Sequence, residues 1–486
     1  MPPRAACTPS PHRQQGAAAL LLILTMIVIL TVVLAPRLTL WQVHNAASGR
    51  GYQTLMDAKA AILAHAANPG ADAVAGRRLG QISLTPDLPV LAGSGYDGLS
   101  KTTPTGKPGC ATRTWAPGQA LIDPNNPAVV PLDVRCFGRF PWLSFGLPGP
   151  STPDDQLGEV PWVFMSANLV VGSGCLANLN PLMLSSVYTG VCNTNGTNVP
   201  FPWLRVVDAR GNLLSSEVAI VLILPGPPVG NGQTRSAPVD QAPAAYLEGL
   251  TVAAGCPTPC VPGAYNNAAY TVASGLAWTF IDAPASTSLS PPPSYYATPF
   301  QFNDHLIYIT ASEYFEAMEQ RARLAVLATL SAFRTANNYL PYSGDYPSTP
   351  LSSSCALHSR FGLLPQAPLS CGALNYPAWL IAAGWGSYFI YAVDPGCTAG
   401  AAAPRCLAPS LRLGGAAPRY NAVLFSPGRA IQSAPYAASK GAPQAPLGSG
   451  QLNDFLDSAS NVAGPPFDAA GTARTSNYDD RMYGIP

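Results

Sequence analysis

Residues 17–35 read AAALLLILTMIVILTVVLA, nineteen positions without a charge. As a helix rising 1.5 Å per residue, such a run roughly matches the ~30 Å hydrocarbon core of a bilayer. A stretch that can span a membrane constrains everything attached to it. Arg4, His12 and Arg13 precede the run and only Arg37 follows it closely, a bias that places the N-terminus in the cytoplasm. Trp41 then falls where an aromatic belt residue would sit. A secretory signal would carry a shorter apolar core and a small-residue cleavage site, and LAPRLTLW is a poor one. Helical spacing instead continues through Leu55, Ala58, Ile62 and Ala66 until Asn68-Pro69-Gly70 ends it. The pattern predicts one helix from near Ala17 to near Ala67, kinked at Pro36, where the ring removes a hydrogen bond.

The chain of 486 residues is long enough for two or three domains, and the part beyond the helix is rich in turn formers. Its 52 Pro and 44 Gly make about a fifth of the sequence, which together with 20 Tyr and 8 Trp suggests a loop-rich folded β protein. Charge is sparse and balanced, with 26 basic against 25 acidic residues and no long basic run, so a nucleic-acid partner is not expected. Cys7 precedes the apolar run, and ten cysteines come after it: Cys110, Cys136, Cys175, Cys192, Cys256, Cys260, Cys355, Cys371, Cys397 and Cys406. An even set on one side of a membrane segment fits disulfides in an oxidising compartment. A zinc site is disfavoured, because no CxxC occurs and CPTPC at 256–260 has no nearby His.

A weak internal duplication organises the body. The blocks GRFPWLSFGLP (138–148), GEVPWVFMSANLVVGSGC (158–175), VVDARGNLLSSEVAIVLILPGPPVGN (206–231), AAYLEGL (244–250) and FQFNDHLIYIT (300–310) recur in order as SRFGLLP (359–365), YPAWLIAAGWGSYFIYAVDPGC (376–397), LRLGGAAPRYNAVLFSPGRAIQS (411–433), LNDFLDS (452–458) and SNYDDRMYGI (476–485). WVFMSANLV and YFIYAVD read as strands, and VAIVLIL is so continuously apolar that it predicts a central strand covered by a helix. Thr310-x-x-Glu313 makes a capping box, and Phe315, Met318, Ala322, Val326, Leu330 and Phe333 come next at helical spacing. Cys175 with Cys192 and Cys397 with Cys406 flank corresponding loops of the two copies. Cys110 with Cys136 and Cys355 with Cys371 are candidate loop closures, Cys256 with Cys260 would close a tight turn, and the connectivity stays open.

Enzymatic signals are thin. His12, His44, His65, His305 and His358 form no HExxH, and no GxSxG or Walker A loop occurs. Asp304 with His305 is the best acid–base pair by proximity, yet the second copy places Arg481 in the His slot. A cationic residue making a surface or interdomain contact accounts for both. Trp142, Trp162, Trp379 and Trp385 lie within strand blocks and read as core.

A short polar leader, Gly16 immediately before the apolar run, and a helix that continues outward together resemble the N-terminus of type IV pilins and type II secretion pseudopilins. The segment ANNYLPYSGDYP is similar to the helix-to-loop segment of pseudopilins. The resemblance implies cleavage by a prepilin peptidase after Gly16, N-methylation of Ala17, and contact with other pilin-like subunits through the N-terminal helix. Leu21 departs from the Glu usual at the fifth mature position, as in minor or tip components. It also implies that a late loop could hold structural calcium, with Asp479 and Asp480 or Asp154 and Asp155 contributing; otherwise no cofactor is expected.

The expected fold class is therefore α+β: a long N-terminal transmembrane helix followed by two tandem pilin-like units, each a helix packed on a small antiparallel sheet. The expected segments are a leader over 1–16, the span over 17–35, a periplasmic continuation over 36–68, a first unit over 69–309 and a second over 310–486 with its helix at 311–336. The expected location is the bacterial inner membrane, single-pass, with the N-terminus cytoplasmic and the body periplasmic. The expected role is that of a non-enzymatic minor pilin or pseudopilin. The alternatives are a membrane-anchored periplasmic binding or adhesive module and an anchored periplasmic enzyme.

Overall fold

The structure is a computed structural model that describes residues 51–68, 136–147, 161–166, 169, 181, 203–209, 211–226, 246–252, 263–267, 279–282, 302–344, 359–366, 374–382, 384–398, 406, 409–413, 419–428, 456, 461, 463–465, 467 and 480–486. Contacts divide the chain into two compact units, Met1–Thr54 and Leu55–Pro486. Apart from the first turn of the opening helix α1 (51–67), the strands and helices belong to the second.

The first sheet is built on β4 (Leu213–Leu224). Its order is β1 (Cys136–Arg139), β2 (Trp162–Met165), β4, β3 (Leu204–Asp208), β7 (Thr279–Asp282), and β8 (His305–Thr310) also pairs with β4. All these pairings are antiparallel except β3 with β7. A separate hairpin, β5 (Gly249–Val252) with β6 (Gly263–Asn266), lies between β4 and β7 in sequence.

Val218–Leu224 is buried throughout, which explains its unbroken apolar composition. Ala219, Ile220, Leu222 and Leu224 face one core, and Val218, Val221 and Ile223 face another. Strict alternation would not put Val218 and Val221 on the same side. The register slips between Val218 and Ile220 against β8, and that bulge inverts the parity.

Strand β8 runs without a linker into α2 (Ala311–Asn337), whose N-cap Thr310 accepts the Glu313 N–H at 3.1 Å. The Glu313 carboxylate bridges to Lys59 of α1 at 2.8 Å, while the same ammonium donates to the Tyr308 carbonyl at 3.1 Å. The helix ends at Asn338, held in the left-handed region at φ 58° with its N–H on the Arg334 carbonyl. Beyond α2 the second sheet is antiparallel, in the order β14 (Arg481–Ile485), β13 (Ala422–Ser426), β10 (Ile390–Val393), β9 (Phe361–Leu363), with a short helix α3 (Ala378–Ala382) and a small pair, β11 (Leu411–Arg412) with β12 (Arg419–Tyr420).

One core joins these parts. Leu55, Ala58, Ile62 and Ala66 of α1, the α2 face from Tyr314 to Phe333, the Ile220 side of the first sheet and the Tyr391–Phe425 region of the second are a single continuous cluster. Trp203 meets Phe315 edge-on at 6.1 Å on one side of α2. On the other, the buried Glu319 accepts from the Tyr388 hydroxyl at 3.2 Å, and Arg323 stacks over Tyr483 at 4.1 Å.

The expected fold class is corrected on these grounds. The described residues form mostly sheet with few helices, and their largest helix lies on both sheets at once, so the repeated blocks do not make tandem units each with its own helix. The expected single-pass inner-membrane location is corrected as well. Among the described residues no helix is long and apolar enough to cross a membrane. Helix α2 has the length but carries Glu313, Glu316, Glu319, Arg321, Arg323 and Arg334, and the expected span over 17–35 lies outside the described residues.

The two ends of β4 should respond differently to truncation. Ile220→Ala empties a fully buried site and should cost about 2–5 kcal/mol in urea unfolding, whereas Leu213→Ala, at a position 44% exposed, should cost no more than ~0.5 kcal/mol. Equal costs would contradict the assignment of β4 as the buried centre.

Candidate functional site

The most chemically perturbed cluster among the described residues closes one end of the Val221 core. Leu247 enters that core, and the next residue, Glu248, is 6% exposed. Its Oε2 accepts the backbone N–H groups of Asn303 and Asp304, each at 3.1 Å. Asp304, 2% exposed at the foot of β8, returns the bond: its Oδ2 accepts the Glu248 N–H at 3.0 Å. Two carboxyl groups thus cap each other's backbone. Gly226, just past β4, permits this approach, since a Cβ there would lie 2.6 Å from the Asn303 carbonyl oxygen and nearer still to its side chain.

Asn267, fully buried behind β6, joins this pair to the sheet edge. Its Oδ1 accepts the Ile281 N–H at 2.9 Å and its Nδ2 donates to the Ile281 carbonyl at 3.1 Å, so one side chain stands in for a strand against β7. The same Nδ2 reaches Asp304 Oδ2 at 3.4 Å, and the Asn267 N–H donates to the Glu248 carbonyl at 2.9 Å. Hairpin, β7 and β8 are held by one buried polar network. Burial first, and the charge of Glu248 second, raise the Asp304 carboxyl well above the ordinary carboxylate range. Nearby, Arg139 is 4% exposed and lies between the rings of Trp162 and Tyr246, 4.3 and 4.2 Å from their centroids.

Strongly shifted carboxyls mark many active sites. Here Glu248 Oε2 and Asp304 Oδ2 are taken up by backbone amides and by Asn267, while Asp304 Oδ1 lies buried without a hydrogen-bond partner, so the bonded oxygens fix chain segments in place.

The second sheet repeats part of the device. Asp480, one residue before β14 and 2% exposed, accepts from the buried Asn461 Nδ2 at 3.3 Å. It occupies the place in the repeat that Asp304 holds in the first copy. Asp394 closes the loop after β10: its Oδ1 accepts the Gly396 N–H at 2.6 Å and its Oδ2 the Ser410 N–H at 2.6 Å, with the Ser410 hydroxyl on the same oxygen. Cys397 and Cys406 are disulfide-bonded within that loop, with Cα atoms 4.2 Å apart.

The structure separates several residues singled out from the sequence. Asp304 is buried while the adjacent His305 is exposed, as neighbours on an extended strand are, so they form no acid–base pair. Arg481 bridges Glu316 of α2 at 2.6 Å. Trp162 and Trp385 are fully buried, and Trp142 and Trp379 pack partly buried against the larger core. Among the described residues no group of three or more His, Cys, Asp or Glu could hold a metal ion. The processing pair Gly16 and Ala17, the calcium candidates Asp154, Asp155 and Asp479, and Cys110, Cys175, Cys192, Cys256, Cys260, Cys355 and Cys371 lie outside the described residues. Cys136 opens β1.

Sequence reasoning missed Glu248 and Asn267. The repeated AAYLEGL and LNDFLDS blocks, each with an acid directly after a leucine, carry a signal for the first; Asn267 in AYNNAAY offers none. Compared with protein-family models, with curated proteins and with solved structures, the chain matches nothing.

Asn267→Ala would leave the buried Ile281 peptide without partners on both its N–H and its carbonyl. The expected loss is about 2–4 kcal/mol of unfolding free energy. A loss below ~0.5 kcal/mol would show that the network does not hold β7.

Proposed function

We propose that the chain is a non-enzymatic structural subunit of the minor pilin or pseudopilin kind. It is processed between Gly16 and Ala17 and joins other pilin-like subunits, through the apolar stretch beyond that point, in a type IV pilus-like or type II secretion filament or its initiation complex. The observation that carries this reading is the placement of Gly16 immediately before nineteen uncharged residues and after a short polar leader. The body lends support of a different kind, because its buried Glu248 and Asp304 carboxyls make internal bonds to the Asn303, Asp304 and Glu248 backbone.

Leu21 refines the role. A carboxylate buried among apolar helices is costly unless a neighbour's amine offsets it. A subunit with Leu there has no charge to be neutralised by a subunit beyond it, while its own N-terminal amine can still pair with a Glu on another chain. This favours incorporation in few copies, at a tip or in an initiating complex.

Mass spectrometry of the mature N-terminus tests the proposal. The wild type should begin at Ala17 with a methylated amine, and Gly16→Leu should retain residues 1–16, since a peptidase that fits the backbone closely there has no room for a side chain. An unprocessed wild type, or equal processing of the variant, would remove the pilin-like reading and leave a binding or adhesive module.

A further inference from the structure

We propose that α2 pairs antiparallel with α2 of a second copy of this chain, about a two-fold axis between Ala328 and Ala332. The outward side of α2 changes character along its length. Its first half carries Glu316, Gln320 and Arg321 in exposed positions, as a solvent-facing helix surface does. From Leu324 on, a row of residues four apart is exposed and uncharged: Leu324, Ala328, Ala332 and Ala336, with Leu324 48% exposed. The helix cannot turn this row inward, because Val326, Leu330 and Phe333 belong to the core. Alongside it runs an open groove of about 590 Å³, lined by Ala328, Ala332 and Ala336 together with Asn337 and Asn375.

The row is complementary to itself. Turned end for end about the axis, it sets Leu324 against the partner's Ala336 at each end and Ala328 against the partner's Ala332 in the middle. The one large side chain thus always meets the smallest. Alanines along the seam let the helix axes approach to about 8 Å, the short end of the usual range.

Charge fits the same alignment. Arg321, exposed and three residues before Leu324, comes level with the end of the partner's α2, whose C-cap is Asn338. The last carbonyls of a helix lack intrahelical donors and carry partial negative charge. The helix's own last-turn cation, Arg334, donates to the Pro486 carbonyl. Asn337 places its Nδ2 on the Phe333 carbonyl at 2.9 Å, which leaves its Oδ1 to accept. A guanidinium from the second copy therefore meets a negative helix end and the amide oxygens of Asn337 and Asn375.

Contact over three turns covers roughly 400 Å² on each partner, about half of a standard interface, so the pairing is weak and concentration-dependent. It closes with two copies, since an isologous contact uses the same face on both. The pairing goes beyond processing at Gly16 and does not depend on it.

Sedimentation equilibrium of the full chain in detergent, up to about 500 µM, tests this. The wild type should show a monomer–dimer equilibrium with a Kd of about 10–100 µM. Ala332→Arg brings a cation into the seam from both copies and should leave a monomer throughout. Arg321→Ala removes two helix-end contacts at once and should raise Kd about three- to thirtyfold. Both positions are exposed and both replacements are good helix formers, so circular dichroism should match the wild type. In cross-linked dimers, a photoreactive group in place of Leu324 should label the partner within 332–337, and this readout serves if a variant fails to fold. A wild type monomeric at about 500 µM, dimers that persist in Ala332→Arg, or labelling of residues 17–35 or of the partner around position 324 would overturn the proposal.

Discussion

Between Val218 and Leu224, strand β4 meets no water on either face, and the rest of the described body is arranged to keep it so. One face is covered by α1 and α2; on the other, Val218, Val221 and Ile223 share a core with side chains of the neighbouring strands β2, β3, β7 and β8 of the same sheet and with Leu247. Burying such a strand contributes on the order of 1.5–3 kcal/mol per large side chain before the entropy of ordering is set against it. Because β4 is covered on both sides, its neighbours are fixed in position, and β8 is carried straight into α2. The helix must then satisfy a second sheet with its remaining surface. Glu319, buried on α2, does so through the hydroxyl of Tyr388, two residues before β10, which also receives the Gly428 N–H at 3.0 Å.

The polar network at Glu248, Asn267 and Asp304 solves a problem that β4 creates. A core walled by strands needs its open end closed, and the closing segment brings backbone groups that must find partners out of water. Here carboxylates and one amide supply them. The cost is a pair of acids in a site that tolerates one negative charge better than two. Asp282 shows a milder form of the same tension: burial and then the charge of Asp208, its partner across the parallel β3–β7 register, raise its carboxyl. Asp208 is itself engaged by the Asn212 N–H and side chain, each at 2.8 Å, which fixes the turn into β4.

Local features were legible in the sequence where one turn of chain decides them. Thr310 and Glu313 marked the start of α2, and the apolar spacing from Phe315 to Phe333 marked its buried face. Cys397 and Cys406 flanked the loop they close. The unbroken VAIVLIL run read correctly as a covered strand. What was not legible depends on partners far apart in the chain. Repeated blocks suggested two separate units because each copy resembles the other locally, but joint burial on α2 is a property of both copies together. The capping-box Glu313 was expected to serve its own helix, and its carboxylate instead holds Lys59, 254 residues away. Asn267 looked like any loop asparagine, since its meaning lies in the Ile281 peptide and the Asp304 carboxyl.

The central claim is that α1, both sheets and α2 share one core, so that the described body unfolds as one cooperative body despite its repeated sequence. Native-state hydrogen exchange with increasing denaturant measures this directly by comparing Val221 and Leu222 in β4 with Val423 and Leu424 in β13. A shared core predicts that these amides converge on one opening free energy, within about 1 kcal/mol, with the same dependence on denaturant. If the β13 amides opened several kcal/mol below those of β4, with β4 still protected, the two sheets would be independent units and the account would be wrong.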